Sequence, residues 1–199
     1  MKNFIVLLCL FFIFSSCNSV NMGPSIGLVE ISGAIMKSEE IVKNLNYFYL
    51  RDDVDGILVR VNSPGGAVAP SQEIYKKIKN IRERSDKPIV VSMSSMATSG
   101  GYYVSIGADS ILANPGSITG SIGVIWARIN FSELMKRVGI NTGLIKKGQN
   151  SDFGSSSHLL TDKEKEDLQA NIIDIYKLLR FKSKSKNGTI YSVYKKIRI

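Results

Sequence analysis

Three glycine-rich segments hold the residues of this sequence that are best suited to chemistry. The first, Asn62-Ser63-Pro64-Gly65-Gly66-Ala67, follows an apolar run that ends at Val61. Paired glycines let backbone N–H groups point into a site without an intervening Cβ, and a helix that begins behind them adds its positive end. Such donors can stabilise an oxyanion. Taken alone, however, the segment is explained more simply as a tight strand-to-helix turn without a ligand.

The second and third segments add a hydroxyl and a backbone surface. In Ala97-Thr98-Ser99-Gly100-Gly101-Tyr102-Tyr103, small residues place Ser99 at the start of a predicted helix. That position would expose a nucleophilic hydroxyl, although serine is also a common helix N-cap. The third segment, residues 114–123, has little room for side chains. It could bind a peptide backbone as an added strand, or it could simply pack closely.

Composition excludes several other classes of function. The 199 residues include 26 Lys and Arg against 17 Asp and Glu, a net charge of +9. Seven of the bases and none of the acids lie in residues 180–199, so the rest of the chain is nearly neutral and offers no basic face for nucleic acid. Cysteines occur only at positions 9 and 17, and His158 is the single histidine. We therefore expect no disulfide framework, no metal site and no cofactor.

The N-terminus is typical of an export signal. Residues 1–16 contain an apolar run, residues 4–14, that is too short to span a bilayer and that suits a signal peptide. Phe14-Ser15-Ser16-Cys17 resembles a bacterial lipobox, in which Cys17 would be lipidated; a short uncleaved signal anchor is the alternative. Either form would tether the protein to lipid on the extracytoplasmic, periplasmic side of a bacterial cell membrane. Residues 17–25 would form the tether.

The elements that must position these segments alternate along residues 26–179. Strand-like runs at residues 26–31, 54–61, 88–93 and 110–113 are separated by helical patterns at residues 38–50, 67–84, 131–138 and 161–179. This order predicts an α/β fold of repeated βαβ units with a mostly parallel sheet. Ser38 is a predicted N-cap, and Thr161 with Glu164 forms a predicted capping box. Residues 180–199 lack periodicity, which predicts a solvated basic tail near anionic lipid.

Together, the three segments carry a family resemblance. The runs GILVRVNSPGGAVAPSQEIYKKI, KPIVVSMSSMATSGGYYVS and ADSILANPGSITGSIGVI closely resemble the signal peptide peptidase SppA (protease IV) family. The resemblance extends from about residue 26 to residue 176. It implies the fold of the ClpP/crotonase superfamily, a Ser–Lys dyad, a membrane-tethered homo-oligomer, and substrates that are signal peptides or other apolar peptides.

The resemblance also assigns roles to individual residues. It implies that Ser99 is the nucleophile and that the N–H groups of Gly66 and Gly100 stabilise the oxyanion. A neutral lysine, its pKa lowered by burial or nearby cations, would take the hydroxyl proton. The residues expected to bind substrate are Gly65, Gly120, Ser121 and Ile122.

The sequence departs from the family where that lysine should be. The family motif K-S-G-x-x-K-D-x-G-S-P corresponds to residues 146–156, but Ser151 occupies the position of the catalytic lysine. A serine hydroxyl cannot replace an amine as proton acceptor. Lys147 is a candidate substitute, expected at a strand end beside Lys146, but it would need a loop rearrangement to reach Ser99. His158 lies at the wrong position for a ClpP-type triad.

Three functions remain possible from the sequence. The first is an SppA-type serine endopeptidase that is impaired by the loss of its base. The second, which Ser151 favours, is a non-catalytic protein that binds peptides or modulates an oligomer. The third, a crotonase-type acyl-CoA enzyme, ranks last because it needs neither a serine nucleophile nor an export signal. The family also continues beyond the last predicted helix, so the resemblance implies that this chain is truncated at its C-terminus.

Overall fold

The computed structural model describes residues 23–148, 151–184 and 190–192. The predicted signal, Cys17 and most of the tether lie outside the described residues, as does most of the predicted tail. The elements in chain order are β1 (Ile26–Ser32), α1 (Glu39–Tyr49), β2 (Gly56–Ser63), α2 (Val68–Arg84), β3 (Ile89–Thr98), α3 (Gly100–Ser105), β4 (Ser110–Ala113), β5 (Ile118–Gly120), α4 (Ser132–Arg137), α5 (Asp162–Lys184) and β6 (Ile190–Ser192).

The strands form a parallel sheet in the order β1-β2-β3-β4-β6. β5 also pairs in parallel with β3, alongside Met96, Ala97 and Thr98, beyond the stretch that pairs with β4. Alternation of parallel strands and helices confirms the predicted α/β class with βαβ units. The arrangement also brings the C-terminal ends of β2, β3 and β5 to one edge, where the three glycine-rich segments meet.

The core lies between one side of this sheet and the helices. Strand side chains such as Val59 and Val61 are fully buried, and α2 contributes Ile74, Ile78 and Ile81, the three residues predicted for its inner face. Side chains on the opposite side of the sheet, including Leu28 and Arg60, are exposed. The apolar run of β2 is typical of a strand in a buried parallel sheet, but only one of its faces is fully covered in the described chain. Its side chains alternate between buried and more exposed positions.

Two of the three helix ends described next are capped differently from what the sequence predicted. Ser38 precedes α1 as predicted, but its hydroxyl donates to the Glu73 carboxylate and caps no backbone N–H. The other end of α1 has an unpredicted cap, because the Lys87 ammonium donates to the last backbone carbonyls. The predicted capping box is confirmed: the Glu164 N–H donates to Thr161 Oγ1 at 3.2 Å, and the Thr161 N–H donates to Glu164 Oε2 at 2.8 Å.

Several elements extend beyond their predicted bounds. β3 continues to Thr98 because β5, which was not predicted, supplies a partner for its last residues. α5 continues to Lys184, and Ile190–Ser192 pairs with β4, so structured residues occur within the predicted tail. Residues 140–147 contain no strand, which corrects the expectation that Lys146 and Lys147 lie at a strand end.

Residues 124–160, here called the arm, differ from the rest of the described chain. Apart from α4, the arm has no regular helix or strand in the residues described. Many of its large apolar side chains are exposed, among them Ile125, Ile129, Leu144 and Ile145. Among all described residues, no helix is both long and apolar enough to cross a membrane.

Candidate active site

Ser99 lies at a sharp turn between β3 and α3. Its backbone has φ 51° and ψ −118°, a conformation that residues other than glycine rarely adopt. Two backbone hydrogen bonds hold the turn: the Ser99 N–H donates to the Gly120 carbonyl at 2.8 Å, and the Tyr103 N–H donates to the Ser99 carbonyl at 2.9 Å. The strained turn therefore depends on both α3 and the end of β5.

The Gly65-Gly66 segment packs directly against this turn. Ile35 fixes it on both sides, because the Ile35 N–H donates to the Gly65 carbonyl and the Ala67 N–H donates to the Ile35 carbonyl, both at 2.8 Å. A Cβ added to Gly65 would lie 2.7 Å from the Ser99 Cβ, and Gly65 also has a φ of +96°. A Cβ added to Gly66 would lie 2.3 Å from the Ile35 carbonyl oxygen. Neither position has room for another residue.

The two predicted oxyanion donors are neighbours. A Cβ placed on Gly100 would lie 3.3 Å from the Gly66 nitrogen, so the two peptide groups lie side by side next to Ser99. Within the described part of the chain, the N–H groups of Gly66 and Gly100 donate to no backbone or side-chain acceptor. Two adjacent, unpaired N–H groups beside a hydroxyl have the geometry that stabilises a developing oxyanion.

A cavity of about 340 Å³ opens at these groups. This cavity, called the main cavity because it is the larger of the two that border Ser99, is lined by Pro64, Gly66, Val68, Ser71, Ser99, Gly100, Tyr103, Ser121, Gly123, Val124, Ile125 and Leu179. A second, much smaller cavity, of about 10 Å³, also borders Ser99; this side cavity is lined by Ser99, Tyr102, Tyr103, Ile106, Ile122, Gly123 and Leu179.

The residues expected to bind substrate all lie around these cavities. Gly65 contacts the Ser99 turn, and Gly120 accepts its N–H. Ser121, which has a positive φ of 53°, lines the main cavity, and Ile122 lines the side cavity. Sequence reasoning missed Ser71, whose buried hydroxyl donates to the Ala67 carbonyl and lies 2.5 Å from the position of a Gly100 Cβ. The position of Ser71 in the first turn of the helix behind Gly66 could have indicated from the sequence that it lies near the site.

The structure does not bring the candidate bases to this site. Ser151 is exposed, and its hydroxyl donates to the Gly148 carbonyl at 3.0 Å. Lys147 is also exposed. Neither residue is among the described residues that line either cavity. Tyr102 and Tyr103 are the titratable side chains in those linings, and burial raises the pKa of Tyr103 to about 12, so it stays protonated at neutral pH.

A separate cluster of titratable groups, which the sequence analysis missed, joins the arm to the first turn of α5. Atoms of Asp152, His158 and Glu164 lie within 4.8 Å of one another, a set that can in principle ligate a cation. The carboxylates already have partners, since Lys146 lies 2.6 Å from Asp152 and Thr161 donates to Glu164. The hydrogen bond from Lys146 lowers the pKa of Asp152, and the bond from the Thr161 N–H lowers the pKa of Glu164.

The neighbours of His158 act in the opposite direction on its pKa. Its ring nitrogens lie 2.8 Å from the Leu159 carbonyl and 3.3 Å from a carboxylate oxygen of Asp152. The hydrogen bond to Leu159 is the main cause of a raised pKa, because a protonated ring donates from both nitrogens. The cluster therefore favours charged carboxylates and a charged imidazole, and it holds the segment around Ser151 near the start of α5.

Comparisons with protein families agree with this architecture. Residues 81–190 match the model of peptidase family S49, and residues 28–113 match the Clp protease model. The Clp protease match spans β1 to β4, including the first two glycine-rich segments. Together with the parallel sheet, it confirms the predicted ClpP/crotonase-like fold.

Three curated relatives illustrate the similarity. A putative protease of Synechocystis sp. is 38% identical over 159 residues, which cover 76% of this chain and 54% of the relative. A putative protease of Methanocaldococcus jannaschii is 42% identical over 63% of this chain and 40% of the relative. A putative signal peptide peptidase SppA of Enterococcus faecium is 38% identical over 62% of this chain and 36% of the relative.

The chain thus spans about half, or less, of the length of these relatives. Its match to the S49 model, in contrast, covers more than half of its own residues and includes Ser99, Gly100 and the third glycine-rich segment. This match confirms the resemblance that the motifs indicated, and the chain belongs to peptidase family S49.

Proposed function

We propose that this protein is a membrane-tethered serine endopeptidase of the SppA type that degrades residual signal peptides and similar apolar peptides. One observation carries the proposal. Ser99 is held in a strained turn beside two unpaired backbone N–H groups, and all three groups line one cavity. The strain and the unpaired donors are costly to a fold that has no use for them.

In the reaction proposed, the Ser99 oxygen attacks the scissile carbonyl. The carbonyl oxygen becomes an oxyanion and accepts hydrogen bonds from the N–H groups of Gly66 and Gly100. The proton that the Ser99 hydroxyl loses passes through the proton acceptor to the leaving nitrogen. Collapse of the intermediate then breaks the C–N bond, releases the amine and leaves an acyl group on Ser99. Water then attacks the ester, and the peptide acid is released as the hydroxyl regains a proton.

The substrate peptide would lie extended along the segment that follows β5. Ser121 and Gly123 line the main cavity, and the short side chains there leave backbone groups accessible. Gly120 is already engaged, because its carbonyl accepts the Ser99 N–H. A peptide that pairs with residues 121–123 would therefore pass beside the nucleophile.

The weak point of this mechanism is the proton acceptor. Ser151 stands at the family's lysine position, and the described residues around Ser99 include no amine or imidazole. General-base assistance contributes about 10²–10⁴-fold in rate, so we propose that activity is feeble. Lys147 is the substitute base within the same motif, but it would require movement of the arm.

A second candidate function follows from the same observation. A protein that keeps the oxyanion donors and the peptide-binding segment without the base would bind apolar peptides, or modulate an oligomer, without cleaving them. The hydroxyl of Ser151, which is exposed and bound to Gly148, favours this alternative.

Membrane attachment and self-association complete the proposal. The apolar run ahead of Cys17 supports a lipid-linked or anchored N-terminus, with the body on the periplasmic side. The exposed apolar side chains of the arm support a homo-oligomer, because surfaces of this kind mark interfaces. Incorporation of labelled palmitate, and its loss in Cys17→Ala, tests the lipid link; a full-length, unlabelled protein would support the anchor.

Labelling with a serine-reactive fluorophosphonate tests the proposed nucleophile. We expect slow labelling of the full chain, no labelling of Ser99→Ala, and unchanged labelling of the control Ser92→Ala, whose hydroxyl contacts Arg60 in the sheet. A folded protein that resists the probe but binds apolar peptides would support the non-catalytic alternative. Labelling that persists in Ser99→Ala would contradict the assignment.

A further inference from the structure

Leu179 lines both of the cavities that border Ser99. Four residues line both the main cavity and the side cavity, namely Ser99, Tyr103, Gly123 and Leu179. Of these, Ser99 is the proposed nucleophile, Gly123 has no side chain, and Tyr103 is stacked on Tyr75 in the core, with ring centroids 4.6 Å apart. Leu179 is therefore the one residue in this set that has a side chain and belongs neither to the buried core nor to the proposed chemistry.

The position of Leu179 on α5 is distinctive. Most of the helix is solvent-exposed, including the neighbouring Leu178 and Tyr176, whose exposed fractions are 39% and 37%. Leu179, in contrast, is partly buried and packs against the core cluster. Because α5 packs against α3, the Leu179 side chain meets the rest of the fold beside the helix that begins after Ser99.

The side cavity has the size and character of a pocket for one small apolar group. Its lining is made by Tyr102, Ile106 and Ile122 together with the shared residues, and its volume of about 10 Å³ is close to the smallest space that holds one water molecule. A methyl group fits such a space, whereas an isobutyl or benzyl group would require Leu179 to move.

We infer that Leu179 determines substrate specificity, by restricting the residue that contributes the scissile carbonyl to a small apolar side chain such as alanine. This inference rests on the proposed function, because it assumes that Ser99 attacks that carbonyl. The side chain on the attacked residue would enter the side cavity. A single methylene in an apolar pocket changes selectivity by about 10–200-fold. Removal of three side-chain carbons, as in Leu179→Ala, is therefore sufficient to reverse the preference for a small residue.

Peptide boronic acids test the inference without requiring turnover. The Ser99 oxygen forms a bond to boron and releases its proton to solvent, which fixes the residue next to boron in the side cavity. Affinities of the full chain in detergent would be measured by isothermal titration for three tripeptide boronates that differ only in having alanine, leucine or phenylalanine next to boron. Ser99→Ala cannot form this bond, so loss of binding in that variant verifies that the boron atom lies at Ser99.

We expect the wild-type chain to bind the alanine boronate at least ~10-fold more tightly than the leucine boronate. Leu179→Ala should abolish or reverse this preference, and Leu179→Val should reduce it. Leu178→Ala, on the exposed side of the same helix, should leave it unchanged. Thermal melting by circular dichroism would verify that each variant is folded.

Two results would overturn the inference, and they differ in what else they affect. An unchanged preference in both Leu179 variants, with binding that still depends on Ser99, would contradict the role of Leu179 and leave the proposed function intact. Failure of every boronate to bind the folded wild-type chain would contradict both the inference and the proposed nucleophile.

Discussion

The body of the protein, residues 26–113, and the arm, residues 124–160, differ in how far their apolar side chains are buried. In the body, apolar side chains are removed from water: Ile78 is 0% exposed, and the core cluster joins strands and helices throughout. In the arm, the side chain of Ile145 is fully exposed and that of Ile125 is 90% exposed. The hydrophobic effect therefore fixes the body within a single chain, but it does not fix the arm.

This difference separates the parts of the proposed active site. Ser99 and the N–H groups of Gly66 and Gly100 belong to the body, where backbone atoms in close contact leave them little freedom. Position 151, where the family resemblance places the base, belongs to the arm and lies on an exposed turn. We infer that the oxyanion site is formed by the fold of one chain, whereas the delivery of a base depends on what the arm packs against.

Removing apolar atoms from each region should separate the two most clearly. Ile78→Ala in the body should lower the free energy of unfolding by about 2–5 kcal/mol, because it leaves a cavity in the core. Ile145→Ala in the arm should change it by less than about 0.5 kcal/mol, since its side chain has no protein surroundings to lose. Urea denaturation followed by circular dichroism measures both. Equal costs for the two variants would mean that the arm is buried in the protein as it exists in solution.

Substitution of a glycine at the site should have a large effect that is local to the body. An alanine at position 65 would place its Cβ 2.7 Å from both Ser99 Cβ and the Gly100 nitrogen. Because misplacement of reacting groups by about 1 Å costs ~10²-fold, fluorophosphonate labelling should fall by at least that factor. Gly116→Ala is the matched control, since nothing lies within 4 Å of its added Cβ. Normal labelling of Gly65→Ala would show that the two segments are not in contact.

The cap on α1 predicts a smaller effect within the body. Lys87 donates to the carbonyls of Phe48 and Tyr49 at 3.3 and 3.0 Å, and also to that of Arg51. A cation at a helix C-terminus stabilises by roughly 0.3–1 kcal/mol, so Lys87→Met should lower the urea midpoint by a corresponding amount. Lys147→Met, a loss of an exposed lysine in the arm, provides the comparison and should leave the midpoint unchanged. A midpoint that does not move in Lys87→Met would contradict the cap.

The smallest effect concerns pH and the arm. The raised pKa of His158 means that its contribution to stability is complete below its ordinary pKa of about 6.5, and is lost as the pH rises through the folded value. The lowered pKa values of Asp152 and Glu164 act at the other limit: their contributions are present above the ordinary carboxyl range and are lost as the pH falls below it.

Between about pH 5.5 and 8, therefore, His158 is the group of this cluster that titrates. We expect the wild-type chain to lose a small amount of stability over this range as the pH rises, and His158→Gln to lose less. Urea midpoints at the two pH values provide the test, with Lys146 present in both proteins as the fixed charge beside Asp152. An identical pH dependence in the two proteins would show that His158 does not help to hold the segment around Ser151 near the start of α5.

Much of the body could be predicted from residue patterns. The alternation of apolar runs with helical spacing predicted a parallel sheet, and the buried face of α2 at Ile74, Ile78 and Ile81 follows directly from the 3.6-residue period. The family resemblance, rather than any one pattern, placed Ser99, Gly66 and Gly100 in one site, and the three residues are adjacent in the structure. Glycine-rich turns at the ends of parallel strands can be identified from the sequence because few other residues satisfy their geometry.

Other features depend on contacts that lie far apart in the chain. The capping hydroxyl of Ser38 was wrongly predicted because Glu73, 35 residues away, offers it a charged acceptor. β5 could not be identified from three residues, since its existence depends on the end of β3. The contact of Leu179 with the site likewise requires α5 to return to the body, which no local pattern reveals.

Peptide cleavage by Ser151→Lys tests the central claim, that a preformed oxyanion site here lacks its base. The measurement compares hydrolysis of a fluorogenic apolar peptide by the wild-type chain, Ser151→Lys, Lys147→Ala and Ser99→Ala. The account predicts feeble wild-type cleavage, a gain of up to ~10²–10⁴-fold in Ser151→Lys, little change in Lys147→Ala, and none remaining in Ser99→Ala. Robust wild-type cleavage that Lys147→Ala abolishes would contradict it and would identify Lys147 as the base.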